Sequence, residues 1–215
     1  ENNFRSAIAY EFSKKYGHND YLKLESFNDL KQTSAGKERL EKRNNEILEL
    51  IEVIEKDINY NSKRRGYIQH YINKHGYVPL WVLVNAISLG TLSKFYYLMK
   101  DREKVEVSKK FNISYLILEQ YIKVLAVHRN ICAHDERFYC IRLDSKGFDI
   151  ADTTYHSNFN IPKVKGYYTK GKKDLFATVI IMKRLLKDDE FKQFVNDIKS
   201  QLDKIDEFKF IFTSP

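Results

Sequence analysis

Ser114-Tyr115-Leu116-Ile117-Leu118-Glu119-Gln120-Tyr121-Ile122-Lys123-Val124-Leu125-Ala126-Val127-His128-Arg129-Asn130-Ile131-Cys132-Ala133-His134 is the stretch that decides how this chain folds. It holds neither Gly nor Pro, and Ser114 is a good N-cap, so a helix is predicted over 115–133. Leu118, Ile122 and Leu125 stand at helical offsets zero, four and seven, and Arg129 and Cys132 continue the line at eleven and fourteen. A guanidinium therefore interrupts an apolar stripe. Burying an unpaired charge is costly, so Arg129 is expected to meet an acid, an interface or a ligand. Asn130 and His134, four residues apart, share the adjoining face, so the three side chains can converge on one pocket.

The same helical character extends outward in both directions. Eight Gly and three Pro in 215 residues make about 5% breakers, against a usual value nearer 12%. Helices are predicted at 4–15 before Gly17, at 37–60, at 65–74 before Gly76, at 80–84 after Pro79, and at 92–99, 103–111, 173–186 and 190–205. Trp81, Leu83, Leu118, Ile122 and Leu125 are the expected core. Residues 18–36 show no period and read as a loop. Residues 135–171 read as a long irregular loop that permits a small β-hairpin within 138–150, around Asp144-Ser145-Lys146-Gly147. The prediction is thus an all-α fold, a single domain over 1–215. The chain opens at Glu1 inside a helical pattern, which implies that it begins partway through a longer protein and lacks an N-terminal segment.

Composition excludes several classes. No window approaches the roughly 18 uninterrupted apolar residues of a membrane span. Two cysteines, Cys132 and Cys140, cannot form a disulfide framework, and no signal-like segment is seen, so a reducing, cytoplasmic setting is expected. Gly-rich phosphate loops, His-Glu-x-x-His and the nucleophile elbow are absent from the sequence. His128, Cys132, His134 and Cys140 offer His and Cys at i and i+4, but their remaining spacings fit no familiar zinc site. No metal and no cofactor are expected.

The net charge of +8 is unevenly spread. Between Asp57 and Asp101 there is no acidic residue, while Lys63, Arg64, Arg65, Lys74, Lys94 and Lys100 are cationic. Between Asp152 and Asp174 Lys163, Lys165, Lys170, Lys172 and Lys173 stand without an acid, interleaved with His156, Phe159, Tyr167 and Tyr168. Cations that neutralise phosphates beside rings that stack suit single-stranded nucleic acid; a solvated face is the plainer reading.

Arg129, Asn130 and His134 suit phosphate chemistry by type: a fixed bidentate cation, an orienting amide, and an acid or base near neutral pH. Their spacing alone is weak, since an Arg and a His so placed arise about once by chance in such a chain. Arg64 and Arg65 each stand at similar spacing from His70, but at a polar helix start and without a following Asn. A buried salt bridge, for example with Glu55, is the structural alternative for Arg129. Interaction with free helix carbonyls is the alternative for His134. Arg5 and Arg137 are candidates to support a phosphate from outside the trio, with a plain surface position as the expected reading.

Three stretches together carry a resemblance: Val78-Pro79-Leu80-Trp81-Val82-Leu83-Val84, Ser88-Leu89-Gly90-Thr91-Leu92-Ser93, and Arg129-Asn130-Ile131-Cys132-Ala133-His134 followed by Arg137. With the opening Glu1-Asn2-Asn3-Phe4-Arg5-Ser6-Ala7, they resemble the Abi-like family of bacterial abortive-infection proteins, over most of residues 1–140. That family belongs to the HEPN superfamily. The resemblance implies a HEPN-type helical bundle and a metal-independent endoribonuclease site composed across a homodimer, with Arg129, Asn130 and His134 catalytic. It implies RNA as partner and leaves room for a regulatory RNA or protein partner; Arg137, beside the motif, and the cations of the two acid-free windows, Lys63, Arg64, Arg65, Lys163, Lys165, Lys170, Lys172 and Lys173, are its expected contacts. The alternative is a non-catalytic RNA-binding or RNA-scaffolded interaction module of a phage-defence or toxin-antitoxin system.

Overall fold

The computed structural model describes residues 1–27, 36–134, 143 and 148–213, with residues 205–213 described by their backbone. Helix makes up 72% of the structure, so the fold is all-α, as breaker-poor sequence dictates. The chain divides into two compact units, Glu1–Arg137 and Phe138–Pro215.

The first unit contains α1 (Asn2–Tyr16), α2 (Lys37–Ser62), α3 (Gly66–His75), the single turn α4 (Leu80–Leu83), α5 (Leu89–Leu98), α6 (Asp101–Lys109) and α7 (Tyr115–Ala133). The caps fall where the sequence places them. Gly76 ends α3 in the left-handed conformation at φ 77°, which costs an L residue more than a glycine, and Ser114 Oγ accepts the Ile117 N–H at the start of α7. α1 buries Phe4, Ala7, Ile8 and Phe12, and the Phe95 ring meets Phe12 and Phe27 edge-on while those two are tilted to each other, with centroids 5.0–5.2 Å apart. Of the expected loop at 18–36, residues 18–27 are less irregular than their pattern suggests, and 28–35 lie outside the described residues. Two 3₁₀ turns, Asp20–Leu22 and Leu24–Ser26, bring Tyr21 and Phe27 into the core. The Tyr21 hydroxyl donates to the Val78 carbonyl at 2.7 Å, and burial pushes this phenol's pKa well above its ordinary value.

Two expectations about the core fail. Trp81 is 45% exposed, its ring edge-on to His18 at 4.6 Å. α4 is one turn long, and Leu80, Val82 and Leu83 occupy its buried positions, so Trp81 is left facing outward. The second failure concerns α7, whose buried residues are Leu118, Tyr121, Ile122, Val124, Ala126, His128 and Ile131, with Leu125 only half-buried. Towards its C-terminus the covered face runs through Tyr121, Val124, His128 and Ile131. Arg129 and Cys132 are exposed. The buried stripe of α7 is therefore not interrupted by a guanidinium.

The second unit contains α8 (Thr154–Asn158), β1 (Lys163–Val164), β2 (Tyr167–Tyr168), α9 (Leu175–Leu185) and α10 (Asp188–Thr213). β1 and β2 pair antiparallel, Lys163 with Tyr168 and Val164 with Tyr167. Lys165 and Gly166 between them both have positive φ, 50° and 84°, as a two-residue type I′ turn requires. The hairpin expected around Asp144–Gly147 lies outside the described residues. His156 is fully buried here: its Nδ1 accepts the Thr153 N–H at 3.1 Å, so Nε2 carries the proton and donates to the Gly171 carbonyl at 3.0 Å. Asp174 caps α9 through the N–H groups of Phe176 and Ala177 and also accepts that of Gly171.

Candidate functional site

α7 delivers Arg129, Asn130 and His134 to the surface at its C-terminal end, all three exposed. His134 terminates the helix, its backbone N–H donating to the carbonyls of Asn130 at 3.1 Å and Ile131 at 3.3 Å. α5 packs along α7. At the start of α5, Ser88 Oγ accepts the Thr91 N–H at 2.9 Å and lies 2.9 Å from the Thr91 hydroxyl. Gly90 follows, and a Cβ built there would lie 3.9 Å from Asn130 Nδ2. The Ser88–Thr91 turn and the Arg129–Asn130 pair are therefore neighbours.

Glu1 and Arg5 complete the arrangement. Arg5, expected on the surface, is 7% exposed. Its Nη1 donates to the carbonyls of Val84 and Ile87, the latter at 2.9 Å, and its Nε donates to Glu1 Oε1 at 3.1 Å. The turn that leads into Ser88 is thus pinned to α1 by a charged donor. The other oxygen of Glu1 lies 3.9 Å from Arg129 Nε. Among the described residues the acid beside Arg129 is Glu1 and not a core acid; Glu55 is exposed on α2. Partial burial pushes the Glu1 carboxyl pKa up, but the hydrogen bond and charge of Arg5 and the charge of Arg129 outweigh it, so the net value is below the ordinary one.

Chemically, the cluster offers a cation with half of its side chain exposed, an amide able to donate and accept, and an imidazole open to solvent. Such a set can clamp a phosphodiester and exchange a proton with it. The cation that can be seen from residue type alone is Arg129. The one that holds the site together, Arg5, has a weaker signal: an Arg between Phe4 and Ile8 on the apolar side of a helix.

The cationic segments are placed as follows. Lys63, Arg64 and Arg65 are exposed at the junction of α2 and α3, with the Arg64 guanidinium 3.8 Å from the Tyr60 ring centroid. Lys163, Lys165 and Lys170 are exposed around the hairpin, and Lys163 Nζ sits 4.3 Å from the centroid of Tyr168. Lys172 and Lys173 are half-buried and pair with Asp152 and Asp149, the latter pair at 3.6 Å. A window without acids in sequence is therefore not without them in space. Of the interleaved rings, His156 is buried, while Tyr167 is 80% exposed. Arg137 and Cys140 lie outside the described residues. Among the described residues no group of three or more His, Cys, Asp or Glu is placed to hold a metal, and His128 is buried where Cys132 is exposed. No described helix is long and apolar enough to cross a membrane.

The family model for Abi-like protein matches residues 1–140, the span that contains Glu1, Arg5, the Ser88–Thr91 turn and the end of α7. Comparison with curated proteins and with solved structures finds no match.

Proposed function

Since the chain belongs to the Abi-like protein family, we propose that it acts in bacterial abortive-infection phage defence as a metal-independent endoribonuclease of the HEPN type. Arg129, Asn130 and His134 from each of two copies form the site. The observation that carries this reading is that these three side chains are exposed together at one helix end, beside the N-terminus of α5, while their neighbours His128 and Ile131 are buried. An Arg kept out of the core, half-open to solvent and paired with Glu1 no closer than 3.9 Å, can turn to an anionic substrate.

In the reaction, the 2′-hydroxyl of the RNA attacks the adjacent phosphorus. His134 of one copy takes the hydroxyl proton as the O2′–P bond forms, and the second copy's imidazolium gives a proton to the departing 5′ oxygen as the P–O5′ bond breaks. Arg129 offsets charge on the phosphorane and Asn130 orients it. The products are a 2′,3′-cyclic phosphate and a 5′-hydroxyl. Lys63, Arg64, Arg65, Lys163, Lys165 and Lys170 neutralise further phosphates, which makes binding salt-sensitive. The setting is the cytoplasm.

The test compares cleavage and thermal stability in the same samples. Arg129→Ala and His134→Ala each remove most RNA cleavage, and the double variant is little worse than either, because residues acting as a unit are not additive. EDTA has no effect. Arg129 is half-exposed, so its loss costs at most about 1 kcal/mol of stability, and melting temperatures stay close to wild type. A folded His134→Ala protein that cuts RNA at the wild-type rate overturns the catalytic reading and leaves the RNA-binding module in its place.

A further inference from the structure

A second polar groove, of about 440 Å³, lies in the first unit at the opposite end of α7. Arg39, Lys42 and Arg43 line it from α2, Lys100 and Lys104 from the start of α6, and Tyr97 and Tyr115 add two rings. Tyr115 opens α7, and Arg129 stands fourteen residues further along it, about 21 Å at 1.5 Å per residue. A ligand in this groove is remote from Arg129.

Three carboxylates also line the groove, and each is already engaged. Asp101 and Glu119 lie 3.0 and 3.3 Å from the buried Lys104 Nζ, and Glu46 lies 3.7 Å from Lys94. Lys104 serves as structure, and its two carboxylates more than offset it, leaving one negative charge. Arg39 and Lys42 have no acidic partner among the described residues. Arg43 Nη2 donates to the Leu98 carbonyl at 2.9 Å, whereas its Nε is buried with no acceptor among the described residues. A buried guanidinium N–H without an acceptor is uncommon and calls for an explanation. The charges of α2 are also sorted by face. Glu38, Glu41 and Glu49 line the adjoining groove instead, and Lys42 and Glu46 border both.

Unpaired cations one helical turn apart suit an acceptor-rich anion, and Arg in particular suits phosphate. Less the one negative charge left at Asp101, Lys104 and Glu119, Arg39, Lys42, Arg43 and Lys100 still carry more positive charge than one phosphate dianion offsets. Tyr97, 42% exposed, offers a face on which a base can stack. We propose that this groove binds a nucleoside carrying two or more phosphates, free or at the 5′ end of an RNA, with its phosphates on Arg39, Lys42 and Arg43 and its base on Tyr97. The proposal does not depend on the ribonuclease reading.

The test is calorimetric titration of the full chain carrying His134→Ala, so that RNA probes stay intact, without divalent ions. The probes are inorganic triphosphate, adenosine 5′-triphosphate, and one short RNA with either a 5′-triphosphate or a 5′-hydroxyl. Both triphosphate compounds bind, and affinity falls at least tenfold in Arg39→Glu plus Lys42→Glu. These two residues are exposed, so the variant folds; its circular dichroism confirms that. Tyr97→Ala weakens adenosine 5′-triphosphate and leaves inorganic triphosphate unchanged. Arg129→Ala changes neither, which separates this site from the one at the other end of α7. If the 5′-triphosphate RNA binds tightest, the occupant is an RNA end; if the free nucleotide matches it, the occupant is a nucleotide. Equal binding by wild type and the Arg39→Glu plus Lys42→Glu variant, or no binding of either triphosphate compound at millimolar concentration, overturns the proposal.

Discussion

Replacing Arg5 by Met tests the support of the site without touching the residues assigned to chemistry. Met keeps an unbranched apolar stem of similar reach, so the change removes donors more than volume. Two buried carbonyls, Val84 and Ile87, lose the charged group that they share. Hydrogen bonds to charged groups contribute about 1.5–3 kcal/mol each, so the two lost together cost roughly 3–6 kcal/mol. Removing a buried charge returns part of its desolvation penalty. The Glu1 pair adds little, since the Glu1 side chain is 35% exposed. A net loss of about 3 kcal/mol follows, or roughly 10 °C in melting temperature for a unit of this size. Urea unfolding followed by circular dichroism measures it.

The same experiment has a pH arm. The folded-state pKa of Glu1 lies below its ordinary value, so its contribution is fully present above the unfolded carboxylate's pKa and is lost as pH falls through the folded value. The gap between wild type and Arg5→Met therefore narrows on acidification. It does not close, because the bonds to Val84 and Ile87 do not titrate. A variant within about 0.5 kcal/mol of wild type at neutral pH, the range of an ordinary surface change, would refute the claim that Arg5 pins the turn before Ser88.

In the second unit, Gly171→Ala is expected to cost about 2–4 kcal/mol, combining a left-handed backbone with overpacking. Its φ is 81°, and a Cβ would lie 2.7 Å from Ile180 Cδ1 and 3.3 Å from the His156 ring; thermal unfolding at the wild-type temperature would contradict this. Trp81 is the sole tryptophan of the chain and is 45% exposed, so native emission should be red-shifted and strongly quenched by acrylamide. Blue-shifted, unquenched emission would return it to the core.

What could be read from the residues, and what could not, divides along the range of the interactions involved. Helix existence and ends are local matters: apolar period, Gly17 and Gly76 past the last turns, and Ser114 before the first one all act within a few residues. The phase of a helix is different when the segment is apolar nearly all round. In α7 several stripes can be drawn with equal right, and packing against α5 and α6 selects the one through Val124, His128 and Ile131. The same ambiguity hides Trp81 in a run of five apolar residues, of which one turn can bury only some.

Arg129, Asn130 and His134 are nominated by residue type, and the structure bears on them only in placing all three exposed at one helix end. The partners of Arg5 are harder to name, since Val84 and Ile87 act through carbonyl oxygens about 80 positions away, and every residue carries a carbonyl. Composition and spacing record side chains alone, so a guanidinium held by backbone looks like any surface cation until the turn that it holds is seen. The consequence for the site is physical: the groups proposed to touch an RNA phosphate are chosen by side-chain chemistry, while the Arg5 support of the turn before Ser88 rests on main-chain acceptors. Substitutions at the exposed trio should therefore change chemistry with little change in stability, and substitutions at Arg5 should change stability first.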